Sequence, residues 1–134
     1  MNFSLDVKKF AAKSNRNVSD VIVATSVDLF STIITETPVD TGRLRGNWQA
    51  SLGSPITSKT ETTDKTGGET KSKMISVINT FAGDGSLFLS NNLPYAYRIE
   101  FLGWSRFKAP KGMVRVSFRR VQSAMNKAIR NLPK

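Results

Sequence analysis

The stretch NVSDVIVATSVDLFSTIITET, residues 17–37, constrains this chain more than any other. Val18, Ile22, Leu29, Phe30, Ile33 and Ile34 fall on one broad stripe at near-helical spacing, the pattern of a long helix with a single buried face. Asn17 is placed to cap it, and Asp20 sits in the first turn, where an acid suits the helix dipole. Its many β-branched residues lower the intrinsic helix propensity, but the spacing overrides that term. The helix has to end before Pro38, whose ring disfavours helical backbone in the residue preceding it. The stripe reads as core and not as a ligand pocket. With 134 residues the chain has the size of one ordinary domain, 1–134, able to bury a single core over that stripe.

Directly after the helix comes TPVDTGRLRGNW, residues 37–48. Pro38 stops the helix, Asp40 or Thr41 can cap the next turn, Gly42 permits tight backbone, and Leu44 and Trp48 return the chain to the core. Arg43 and Arg45 are then presented outward from a stiff corner. They are either solvated turn residues or a subunit contact in which a guanidinium meets a carboxylate such as Glu100, within one subunit or across a boundary. Next, NWQASLGSP reads as a strand leading into ITSKTETTDKTGGETKSK, which has almost nothing to bury. That composition does not offset the roughly 1–2 kcal/mol per residue that ordering a backbone costs. Residues 54–73 are therefore expected to be a mobile loop or hairpin that becomes ordered against a neighbour, with Lys59, Lys65 and Lys71 as its assembly contacts. Strand character returns in KMISVINTF and continues in SLFLSNN, which would complete a hairpin with a long polar tip.

NLPYAYRIEFLGWS predicts a short helix, with Pro94 in its first turn and Gly103 as its stop. Its aromatic residues read as core. Val114, Phe118, Val121, Met125, Ala128, Ile129 and Leu132 then recur by threes and fours, a C-terminal amphipathic helix. Its opposite side carries Arg115, Arg119 and Arg130, expected to face DNA or an acidic partner and not the core. At the other end, residues 1–15 form an arm or a short helix capped by Ser4. Lacking the apolar core and cleavage site of a secretory signal, this terminus is expected to be that of the mature chain.

Charge and composition narrow the chemistry. The net charge is +10, and residues 105–134 hold 9 basic and no acidic side chains, so nearly all the excess lies at the C-terminal end. Such a segment faces nucleic acid or an acidic protein, or is a solvated surface. There is no Cys and no His, which removes disulfides, thiolate metal sites, the commonest general base and the commonest transition-metal ligand. The acids show no pairing pattern for acid–base hydrolysis, and no phosphate-binding or dinucleotide-binding glycine motif occurs. No run approaches the roughly 20 apolar residues of a membrane helix. The chain is expected to be neither an enzyme nor a membrane protein, and to need no cofactor or metal.

In order and spacing, a helix followed by TPVDTGRLRGNW, NLPYAYRIEFLG and KAPKGMVRVSFRRVQSAMNKAI resembles the tail-completion or neck protein family of long-tailed bacteriophages. There a P-x-x-T-G-x-L corner precedes the first strand and a Y-A-x-x-x-E-x-G segment follows the sheet. Pro38, Thr41, Gly42, Leu44, Tyr95, Ala96, Glu100 and Gly103 match, with two residues instead of one between Glu100 and Gly103. The resemblance spans roughly residues 17–131. It implies an α+β fold: a curved antiparallel sheet with a long polar hairpin, packed against an N-terminal long helix and a C-terminal amphipathic helix. It also implies a virion protein, made in the host bacterial cytoplasm, that forms a homo-oligomeric ring in the neck, a hexamer in preference to a dodecamer. Head-closure or connector proteins, a tail terminator or tail tube protein and the DNA in the channel would be its partners. Rings need a heterologous interface, and Arg43, Arg45 and Glu100 are its candidates. The alternative is a stand-alone basic nucleic-acid-binding module.

Overall fold

The structure is a computed structural model that describes residues 18–82, 85–102 and 112–130. The first helix, α1 (Val18–Glu36), stops where Pro38 requires. Val21, Leu29, Phe30, Ile33 and Ile34 are buried along it, with Val23 and Val27 packed at the margin. Its last turn is closed by Thr37, whose hydroxyl donates to the Ile33 carbonyl at 2.7 Å. A one-turn helix follows, α2 (Arg43–Gly46), and then strand β1 (Gln49–Leu52).

Beyond β1 the expected hairpin is not formed. Residues 53–67 run without regular structure, and the strand anticipated in KMISVINTF is a helix, α2's successor α3 (Gly68–Ile78). The physical reason lies in the spacing: Thr70, Met74 and Ile78, four apart, are the buried residues. Met74, Ile75, Val77 and Ile78 are the i, i+1, i+3, i+4 set of a helix face, which at short range resembles imperfect alternation. β1 instead pairs with β2 (Leu87–Ser90), antiparallel, with Gln49 opposite Ser90 and Leu52 opposite Leu87. Among the described residues the sheet has these two strands.

Helices α4 (Pro94–Leu102) and α5 (Val114–Arg130) occupy the expected places. α4 contributes Ala96 and Ile99 to the core, while Val114 and Val121 of α5 join them beside Met113. α1 packs on both α3 and α5, and α3 covers β1. The chain is thus an α+β fold: five helices and a two-strand antiparallel sheet among the described residues. The arm or short helix at residues 1–15 and the helix stop at Gly103 lie outside the described residues.

Candidate functional site

Two buried acids organise the polar part of the molecule, and the carboxylate of each lies at the start of a helix. Asp64 belongs to the segment between β1 and α3 and is buried. Its carboxylate accepts from the Gly67 N–H at 2.9 Å, the Thr70 N–H at 2.8 Å and the Thr70 hydroxyl at 2.7 Å. It therefore caps α3, satisfying N–H groups that have no partner inside the helix. Burial alone would raise its pKa, but the hydrogen bonds from Thr70, Gly67 and Thr66 outweigh it and hold the carboxyl below the usual aspartate value.

The opening corner is built around that segment. The Asp64 N–H donates to the Gly42 carbonyl at 2.9 Å. Gly42 has φ +89°, and a Cβ there would come within 2.8 Å of the Asp64 backbone, so no other residue fits without displacement. Thr41, and not Asp40, receives the Arg43 N–H, at 3.2 Å. Arg45 turns inward: its guanidinium donates to the carbonyls of Thr35 (2.9 Å), Thr37 (2.8 Å) and Lys65 (2.6 Å). Two of those carbonyls lie at the C-terminal end of α1, where a cation suits the dipole. Burial lowers the Arg45 pKa and Asp64 raises it in part; the guanidinium remains charged. Asn47, fully buried, bridges the two sides, donating to the Arg43 carbonyl and accepting from the Thr60 N–H. Trp48 donates its indole N–H to the Thr37 hydroxyl at 2.8 Å.

The second acid is Glu100, on α4 and 0% exposed. It reaches the first turn of α5, accepting from the N–H groups of Val114 and Arg115, each at 2.8 Å, and from that of Met113. The Arg115 side chain closes the arrangement, with Nε at 3.1 Å from Glu100 Oε1 and Nη2 on the Glu100 carbonyl. Gly112, at φ +90°, lies so close that a Cβ would meet Glu100 Oε2 at 2.6 Å. A carboxylate on a helix N-terminus with an arginine partner is a strong, directional clamp.

Several sequence-derived placements change as a result. Glu100 does not meet Arg43 within the chain: Arg43 lies 3.7 Å from the exposed Glu61, and Glu100 is enclosed by α5. Neither Arg45 nor Glu100 is free for a subunit contact, because each is engaged in holding its own chain together. Arg115 is partly exposed but does not project freely from the stripe, because its guanidinium is held by Glu100. Arg119 is exposed as expected, while the side chain of Arg130 lies outside the described residues. Lys59 and Lys65 are exposed and Lys71 is half-buried. The aromatic residues of α4 divide: Tyr95 packs against the core, but Tyr97 and Phe101 are 60% and 38% exposed.

Asp64 and Asn47 were not singled out in the sequence. The available signal was the Thr-rich run itself, in which Asp64, Gly67 and Thr70 hold the spacing of a helix start. A cavity of about 450 Å³ opens beside β2, between Phe30, Trp48, Ile56 and Leu89, and no acidic or basic side chain among the described residues lines it. Among the described residues no group of three or more acids or histidines could hold a metal, and no helix is long and apolar enough to cross a membrane. Comparison with protein-family models, with curated proteins and with solved structures finds no match to this chain.

Proposed function

We propose that this chain is a structural virion protein, a subunit of a homo-oligomeric ring in a bacteriophage neck that joins the head connector to the tail around the DNA channel. The observation that carries the reading is what the motif residues do. Gly42, Leu44 and Glu100, which bear the resemblance, are all used as framework: a tight crossing, a core anchor and an interhelical clamp. Motif residues used in this way maintain a shape, which suits a subunit whose work is to be assembled. The basic excess suits passing DNA or acidic neighbours, with Arg119 and Arg130 as its proposed contacts. Lys59 and Lys65, exposed on the segment before α3, and Lys71 on its first turn remain the proposed contacts to neighbouring neck proteins.

The test is native mass spectrometry and electron microscopy of the purified chain, alone and after addition to packaged heads lacking tails. A closed ring, a hexamer in preference to a dodecamer, that seats on the head and permits tail joining is the expected result. Hydrogen exchange in free and seated forms then shows whether residues 54–73 gain protection on assembly. A monomer that binds short duplex DNA tightly, with a steep loss of affinity as salt rises, would overturn the reading in favour of a stand-alone nucleic-acid-binding module.

A further inference from the structure

The exposed ridge formed by α4 and the start of α5 has the construction of a docking surface. Tyr97 and Phe101, one turn apart, stack with ring centroids 4.9 Å apart at 45°. The Arg115 guanidinium lies 4.8 Å from the Phe101 ring centre, and Arg119 follows one turn later, exposed. Isolated exposed aromatics are ordinary, but a contiguous aromatic and arginine ridge is the composition of interface anchors. It is also preorganised: Glu100 already fixes Arg115, so little side-chain freedom is left to lose on binding.

A complementary surface exists on the same chain. Asp20, Ala24 and Asp28 are all exposed on α1 at four-residue spacing, a strip about 12 Å long. Ala24 puts a small apolar side chain between the two acids. Most other described acids are engaged: Glu36 with Arg120, Glu61 with Arg43, Glu69 with Lys73, Glu100 with Arg115, and Asp64 with the start of α3. Asp20 and Asp28 have no ion-pair partner among the described residues.

We infer that the Tyr97–Phe101–Arg119 ridge of one copy docks on the Asp20–Ala24–Asp28 strip of a second copy, forming the repeating contact of the ring. The inference rests on the ring reading above. Two unlike patches on one chain generate a head-to-tail interface, the kind from which rings close. A nucleic acid would use the ridge alone and leave the acidic strip without a role, so the pair of surfaces favours a second copy.

Because the chain contains no cysteine, introduced ones report cleanly. Ala24→Cys and Pro94→Cys, the latter exposed at the start of α4, are mixed and treated with a short bis-maleimide. Cross-linked dimers are expected from the mixture but from neither variant alone, and the double variant should give a ladder ending at the ring. Adding Asp28→Lys should abolish the ladder, and combining it with Arg119→Glu should restore it. Circular dichroism of each variant checks that the fold persists. Cross-links within one single variant, or a ladder insensitive to Asp28→Lys, would overturn the proposal. An unmodified chain that forms rings while the double variant gives no ladder overturns this interface and leaves the ring reading standing; a chain monomeric at all concentrations overturns both. Loss of DNA binding in Arg119→Glu with assembly unchanged would reassign the ridge to nucleic acid.

Discussion

Asp64 and Glu100 are both buried acids whose carboxylates lie at helix starts, yet they do different work. All the described donors to the Asp64 carboxylate lie within six residues of it, so it closes a local turn and starts its own helix. The backbone donors to Glu100 lie 13 to 15 residues away and belong to another helix. One acid shapes a segment; the other joins two elements. Removing a local cap lets a helix end fray, whereas removing the clamp leaves a helix terminus and part of an arginine without their partner. The two acids therefore differ in how far the damage should spread.

Glu100→Ala is the largest expected effect. It strips the first N–H groups of α5 of their acceptor and leaves Arg115 beside an apolar gap, a loss of about 3–5 kcal/mol by analogy with broken buried pairs. Denaturant unfolding measures it, and a loss below about 1 kcal/mol would show that the clamp does not join the helices. Arg115→Gln should destabilise clearly while Arg119→Gln does not, because only the former touches Glu100. That contrast separates two arginines which the helical pattern alone places on one stripe.

Gly112→Ala attacks the same clamp from the backbone side. The substitution strains a φ of +90° and drives a methyl group to 2.6 Å from Glu100 Oε2, for about 1–3 kcal/mol. In Glu100→Ala the clash with the carboxylate disappears while the one with the residue-100 carbonyl, at 2.7 Å, remains, so the double variant should lose somewhat less than the sum of the singles. Strict additivity would mean that Gly112 and Glu100 act separately.

Asp64→Asn comes next, at about 1–3 kcal/mol, since one of the Gly67 and Thr70 N–H groups keeps an acceptor, the other faces the amide NH2, and the charge is lost. The effect should depend on pH with a defined sign. Asp64 in the folded chain has a pKa below the ordinary aspartate value. Its contribution is therefore fully present above about pH 4, near the unfolded value, and is lost as pH falls through the folded one. Unfolding midpoints of the parent chain and Asp64→Asn should converge on acidification. A gap that stays constant down to acid pH would show that shape, and not charge, makes the cap.

How much of this was legible beforehand depended on range. α1 was readable because its stripe is long and Pro38 ends it, and α5 because residues from Val114 onward repeat over several turns. The corner was readable in outline: Gly42 and Leu44 do what their residue types suggest. α3 was misread because the apolar residues of 73–81 are too few to separate a helix face from a broken alternation. The polar run looked unable to hold itself, but Asn47, Asp64 and Thr70 supply hydrogen bonds where apolar burial is absent. Glu100 was noticed as the lone acid among aromatics, yet its partners lie across a turn, beyond any local pattern. Long-range pairing of charges is set by tertiary geometry, and opposite sign alone chose Arg43 wrongly.

The smallest expected effect is at the ion pair that Arg43 does make. Glu61 is 92% exposed and its carboxylate lies 3.7 Å from the guanidinium, so solvent screens the attraction and the flexible side chains lose freedom in forming it. Glu61→Gln should leave the unfolding midpoint within measurement error, and reversing both charges, Arg43→Glu with Glu61→Arg, should do the same. The backbone of Arg43 is a different matter, because its carbonyl accepts from Asn47 at 2.8 Å whatever side chain it bears. Asn47→Ala should therefore destabilise where Glu61→Gln does not, by about 1–3 kcal/mol for buried polar groups left unpaired. A cost for Glu61→Gln as large as that for Asp64→Asn would break the distinction between buried and surface acids, and would return Arg43 to the organising role that its position in the corner first suggested.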